Sequence, residues 1–208
     1  MNGLSSKQII KILDKMYPNA RCELLYNKDY EFLIAVMLSA QTTDKAVNKV
    51  TKILFNEYDS LEKLKDIDLK ILENILRPIG NQNKKSLYLK DIVNRIIEVG
   101  GGVPNNKEFL LSLSGVGIKT VNVVLGEIFN VPGIAVDTHV YRVSRRLGIT
   151  DDDDNVGGTE EKLRDFFDEK DWIKLHHQLI FLGRYTCHSR NPNCKECLFN
   201  KYCSKKSS

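Results

Sequence analysis

The 208-residue sequence lacks the features that carry a chain into or across a membrane. Its longest apolar run, Phe32 to Leu38, is far short of the roughly 20 residues a spanning helix needs. The opening segment MNGLSSKQIIKILDKMYPNA mixes lysines with aliphatics and has no continuous apolar stretch, so a secretory leader is not expected and a cytoplasmic chain is. Strict two-residue alternation is missing, which removes the signal for half-buried strands. No low-complexity linker and no long internal repeat is present. Charge of one sign is in no great excess: 31 Lys and Arg face 27 Asp and Glu, a net +4 that attracts polyanions only mildly.

What is present reads as helix. Aliphatics recur at helical spacing in Ile9, Ile12, Leu13 and Met16, in Val47, Val50, Ile53 and Leu54, and in Leu89, Ile92, Val93 and Ile96. Turn chemistry separates the segments, as in Arg77-Pro78-Ile79-Gly80-Asn81 and Gly100-Gly101-Gly102-Val103-Pro104. An all-α fold of about ten helices follows, with one sizeable core or two small ones and nothing that demands more than a monomer. The one like-charge block, Asp151 to Asp154, is expected to be a solvated loop. His139, His176, His177 and His188 are expected in packing or polar-surface roles, and Trp172 as a core anchor.

Four of the five cysteines crowd the end of the chain: Cys187, Cys194, Cys197 and Cys203. In a cytoplasmic protein thiols stay reduced, so four soft ligands in so short a segment point to a metal centre rather than to disulfides. Structural zinc usually takes two tight Cys-x-x-Cys pairs, and only Cys194 and Cys197 form one, which tilts the expectation toward a 4Fe-4S cluster while leaving zinc open. Basic residues accompany the cysteines. From Arg184 onward Arg184, Arg190, Lys195, Lys201, Lys205 and Lys206 are opposed only by Glu196, a segment suited to phosphates.

The segment Leu113-Ser114-Gly115-Val116-Gly117-Ile118-Lys119-Thr120 ends one helical pattern and begins another. Two glycines around one valine permit a sharp turn and a close backbone approach, and the next helix offers unpaired N–H groups to an anion. This is a helix-hairpin-helix candidate; the pattern equally suits a plain interhelical turn. No Walker lysine accompanies it, so a nucleoside triphosphate is not implied. Lys119 lies in the first turn of a helix with the apolar positions Ile118, Val121, Val124, Leu125 and Ile128, where it could contact a phosphate or act as a nucleophile. Asp137 stands between an apolar run and a helix beginning near Val140, as an N-cap or as a carboxylate that moves protons.

These motifs, with Leu38-Ser39-Ala40-Gln41-Thr42-Thr43-Asp44 near the start and Gly183-Arg184-Tyr185-Thr186-Cys187 entering the cysteine cluster, resemble the endonuclease III family of DNA glycosylases over nearly the whole chain. The resemblance implies two lobes, a six-helix barrel of residues 22–132 and an iron-sulfur lobe of residues 1–21 plus 133–208. It implies double-stranded DNA with damaged bases or abasic sites as the partner, and oxidised pyrimidines as substrates. It makes Lys119 the catalytic lysine, Asp137 the catalytic carboxylate, Cys187, Cys194, Cys197 and Cys203 the ligands of a 4Fe-4S cluster, and Gly115, Val116 and Gly117 a phosphate clamp. Gln41, Asn81, Gln82, Arg190 and Lys195 join these as candidate DNA contacts.

Two positions depart from the family pattern. Ser114 stands where proline is common, and Asn81-Gln82 occupy a loop that often carries an apolar wedge. Two other functions remain as alternatives: a monofunctional mismatch glycosylase, which typically lacks a lysine at position 119, and a zinc-held DNA-binding module without catalysis.

Overall fold

The structure is a computed structural model and describes residues 3–203; Lys205 and Lys206 of the basic segment lie outside the described residues. Among the described residues the chain is helical throughout, with no strand, and no helix is long and apolar enough to cross a membrane. Eleven α-helices are described where the periodicity predicted about ten. They divide into two units, residues 23–129 and residues 1–22 with 130–208.

After α1 (Ser6–Met16), which belongs to the other unit, the first unit holds seven helices: α2 (Asp29–Leu38), α3 (Asp44–Glu57), α4 (Leu61–Asp66), α5 (Leu69–Leu76), α6 (Gln82–Glu98), α7 (Lys107–Leu111) and α8 (Ile118–Phe129). The apolar run Phe32–Leu38 forms most of α2, and every residue from Tyr30 to Leu38 is buried. A helix apolar on all sides has only one stable place, the centre, and α2 packs against α3, α6 and α8. Its start is tied down by carboxylates: Glu31, itself buried, accepts from the Asn27 N–H at 2.8 Å, and Asp29 accepts from the Val103 N–H at 2.7 Å, fastening the end of the glycine-rich turn.

The second unit joins α1 (Ser6–Met16) to α9 (Thr138–Arg146), α10 (Val156–Phe166) and α11 (Trp172–Phe181). Ser5 and Gln8 form a reciprocal cap that starts α1, so that Ile9 and Leu13 face inward. They meet Val140, Val143, Leu163, Leu175, Leu179 and Leu182 in one core. Trp172 is only half-buried at the margin of this core, where its indole N–H donates to the Phe167 carbonyl and Arg164 lies over its ring. In the acidic loop the Lys162 ammonium sits between Asp151 and Asp154, at 2.7 Å from each, so a lysine supplies the cation there.

Candidate functional site

The hairpin forms where α7 ends at Leu111 and α8 begins at Ile118. Gly115 adopts φ +75, and a Cβ there would lie 2.4 Å from the Tyr88 ring, so the turn needs glycine for both conformation and space. Gly117 has open space around the position of a Cβ, leaving its backbone approachable. Val116 plugs the turn: its side chain is buried and its N–H donates to the Leu113 carbonyl. It therefore shapes the hairpin rather than presenting a free group.

The flank of α6 supports this turn at three points. Tyr88 packs under Gly115, Asp91 accepts from the Ser114 N–H at 2.9 Å, and Arg95 donates to the Ser112 hydroxyl at 3.1 Å. The Ser114 bond explains how this chain manages without proline: a proline would stiffen the turn but could not donate to Asp91.

Lys119 is exposed in the first turn of α8. The buried positions of that helix are Val121, Val124, Leu125 and Gly126; Ile118, expected among them, is half exposed because it sits at the hairpin tip, ahead of the turn that meets the core. The amine thus leaves a rigid helix whose leading N–H groups have no helical acceptors.

Two further candidate contacts occupy strained backbone. Gln41 (φ 60), just past α2, and Asn81 (φ 52), which caps the start of α6, are both exposed in the left-handed region. Non-glycine residues rarely settle there, and such strain gathers at functional sites. Gln82 is half-buried as the first residue of α6.

In the second unit Asp137 caps α9, one carboxylate oxygen accepting from the N–H groups of His139 at 2.9 Å and Val140 at 2.7 Å. Burial, followed by the Arg142 guanidinium, pushes the His139 imidazole below its ordinary pKa, while Asp137 opposes this. Further along α9, Arg142 donates to the carbonyls of Gly183 at 2.8 Å and Cys187 at 3.2 Å. Arg146 reaches the Cys187 sulfur at 3.3 Å and the carbonyls of His188 and Ser189. Its own carbonyl accepts from the Cys203 thiol at 3.1 Å. Neither arginine was singled out from the sequence; their i, i+4 spacing from one another, on the helix that Asp137 starts, was the available signal.

All four C-terminal cysteines line a single cavity, with Arg146 and Leu182 in its wall. Phe199, 1% exposed, sits between the last two cysteines in sequence and anchors the loop in the core of its unit. Burial, with the other three thiols adding, pushes the Cys197 thiol above its ordinary pKa. Among the described residues no three His, Cys, Asp or Glu side chains close on a point that one metal ion could hold. A single tetrahedral zinc would need its thiolates about 3.8 Å apart, from Zn–S bonds of about 2.3 Å. Four soft donors around one cavity suit a metal centre, zinc or an iron-sulfur cluster. Arg190 and Lys195 are exposed on the loop and do not line the cavity.

The model of the HhH-GPD superfamily of base excision DNA repair proteins matches residues 34–169, a span that includes the hairpin, Lys119 and Asp137. Endonuclease III of Bacillus subtilis (strain 168) is 44% identical over 204 residues, covering 96% of this chain and 93% of that protein. A non-covalent endonuclease III–DNA complex superposes with a TM-score of 0.89 at 42% identity, over 97% of this chain and 96% of that one. A trapped endonuclease III–DNA covalent intermediate gives 0.88 at the same identity and coverage.

Proposed function

Since the chain belongs to the endonuclease III family of helix-hairpin-helix base excision DNA repair proteins, we propose that it excises oxidised or ring-saturated pyrimidines from duplex DNA and cuts the strand at the resulting site through Lys119. It is a base excision repair enzyme, a DNA glycosylase and abasic-site lyase. The observation that carries the assignment of Lys119 is its place: an exposed amine in the first turn of α8, directly behind a hairpin that only glycine can form.

The hairpin serves DNA as a phosphate clamp. Gly117 leaves its backbone open, and the leading N–H groups of α8 with the positive end of its dipole face an anion. Such contacts fix position on the duplex without reading sequence. The damaged nucleotide is turned out of the stack, since chemistry at its sugar requires access that the duplex denies. The Lys119 Nζ lone pair then forms a bond to C1′ as the bond from C1′ to the base breaks, and the base departs with that electron pair. Loss of the Nζ proton and opening of the sugar ring leave an imine between Lys119 and C1′. The imine acidifies the C2′ hydrogen; its removal expels the 3′ phosphate, a β-elimination that cuts the strand on that side. Asp137, its carboxylate held at the start of α9 by two N–H groups, assists activation and proton movement.

Cys187, Cys194, Cys197 and Cys203 are the residues that would hold a 4Fe-4S cluster, and their place around one cavity supports a shared centre. Such a cluster would supply a cross-link for a loop too short to build its own core. The exposed Arg190 and Lys195 would then be presented to phosphates on a fixed scaffold, and Gln41 and Asn81 would enter the gap behind the flipped base. The two units correspond on this view to the barrel and iron-sulfur lobes, and the protein works in the cytoplasm as a monomer.

The test is a duplex carrying one oxidised pyrimidine in a labelled strand. The expected products are the free base and a nick bearing a 3′ unsaturated aldehyde and a 5′ phosphate. Release of the base with an intact strand would instead support a monofunctional glycosylase, and binding without release a non-catalytic module.

A further inference from the structure

Lys85, in the first turn of α6, is 4% exposed. Its ammonium donates to the Ile79 carbonyl at 3.0 Å, and among the described residues no carboxylate is paired with it. Burial alone pushes its pKa below that of an ordinary lysine. Lysine is almost never fully buried unless paired, and a methionine would fill the same space without desolvating a charge. Packing therefore does not account for the residue.

Its contacts do. Ile79 ends the 3-10 turn Arg77–Ile79, and the next two residues, Gly80 (φ 68) and Asn81 (φ 52), are both in the left-handed region. No side chain caps the start of α6. Lys85 ties down the start of this short loop through its ammonium at the Ile79 carbonyl, while its main-chain N–H at the Asn81 carbonyl, 2.9 Å away, is the helical bond that any residue here would make. Positive φ at Gly80 and Asn81 is held by the surroundings of the loop, and the buried Lys85 ammonium at the Ile79 carbonyl is the side-chain contact at its near edge. The same helix supports the hairpin along its flank through Tyr88, Asp91 and Arg95, so one rigid element carries both the clamp and the loop.

We propose that Lys85 is a positioning residue for damage recognition: from beneath, it locks Gly80, Asn81 and Gln82 in the conformation that enters the space left by a flipped nucleotide. This rests on the DNA glycosylase assignment above. It makes Lys85 important where a base must be extruded from a duplex and irrelevant where none must be. An abasic site in single-stranded DNA offers the same C1′ to the same lysine with no stack to open.

Single-turnover rates of the wild type, Lys85→Met, Asn81→Ala and the double variant on these two substrates test the idea. Lys85→Met is expected to slow base excision from the duplex by about tenfold or more, since small misplacements carry penalties of that order, and to change cleavage at the single-stranded abasic site by less than about twofold. The double variant should be no slower than the slower single one, because both changes disable one loop. Should Lys85→Met fail to fold, Gly80→Ala replaces it; its Cβ meets nothing within 4 Å and strains only the loop, so the same split between substrates is expected. Equal slowing on both substrates, or additive losses in the double variant, would overturn the role of Lys85. Wild-type protein inactive on both substrates would instead overturn the glycosylase assignment, and the proposal with it.

Discussion

His139 illustrates how much a single residue at the start of α9 is asked to tolerate. It follows Asp137 closely, is half-buried, and its Nδ1 lies 3.2 Å from an Arg142 nitrogen. Burial and that guanidinium depress its pKa, so the folded protein resists a proton that the unfolded chain accepts near pH 6.5. The sign follows from linkage: the contribution of His139 to stability is full above that pH and is lost as pH falls toward and through the folded value. The denaturation midpoint of the wild type should therefore drop on acidification below about pH 6.5, and His139→Gln should flatten the drop. An unchanged slope in the variant would assign the acid sensitivity to other groups. At this scale the sequence offered candidate residues but not their supports. Asp137 and Lys119 stand out through the resemblance, since an N-cap or a phosphate contact would serve as well at those positions, whereas Arg142 and Arg146 act through carbonyls more than forty residues away and Lys85 through one across a turn, and a carbonyl leaves no mark in the residue alphabet.

Among elements, the hairpin and α6 were legible to different degrees. Glycines at 115 and 117 announced a sharp turn, but the two positions do different work. Gly115→Ala must place a methyl against Tyr88 and hold φ 75, so a loss of about 1–3 kcal/mol in stability is expected from the conformation alone. Gly117→Ala meets no atom of the protein, so it should leave stability nearly intact while weakening binding to duplex DNA, because its methyl would project into the space the phosphate needs. Equal stability for the two variants would contradict this division. Asp91→Ala should cost about 1 kcal/mol, the usual value of one hydrogen bond, by releasing the Ser114 N–H. The support that α6 gives was hidden from periodicity, which sorts residues into buried and exposed faces but does not say which turn a polar flank will meet. Ile118 shows the same limit: it fits the apolar period and yet lies outside the core because the helix has only just begun.

The whole molecule divides close to the boundaries that the resemblance implied, beside the turn Asn130-Val131-Pro132-Gly133, but composition did not set that turn apart from the other interhelical turns. Units of this kind are defined by contacts, and contact partners far apart in sequence, such as α1 and α11, leave no local trace. The cysteine loop was the exception, because the crowding of four thiols in sequence matches their place around one cavity. What the spacing did not disclose was Phe199, the anchor that lets the loop share the core of its unit. Cys197→Ser should abolish the visible absorbance of an iron-sulfur protein and raise amide hydrogen exchange across residues 182–203, while residues 23–129 keep their protection. Loss of protection throughout both units would argue that the cysteines sustain the entire fold.

The proposed chemistry requires Lys119 to form a covalent imine with DNA. Borohydride reduction of the protein with a duplex bearing one oxidised pyrimidine tests it directly, because only an imine is converted to a stable protein–DNA adduct. The account predicts an adduct with the wild type, mapped to the peptide containing Lys119, and none with Lys119→Gln or Lys119→Ala despite retained folding and DNA binding. An adduct of undiminished yield in those variants, or base release by the wild type with no adduct at all, would contradict it.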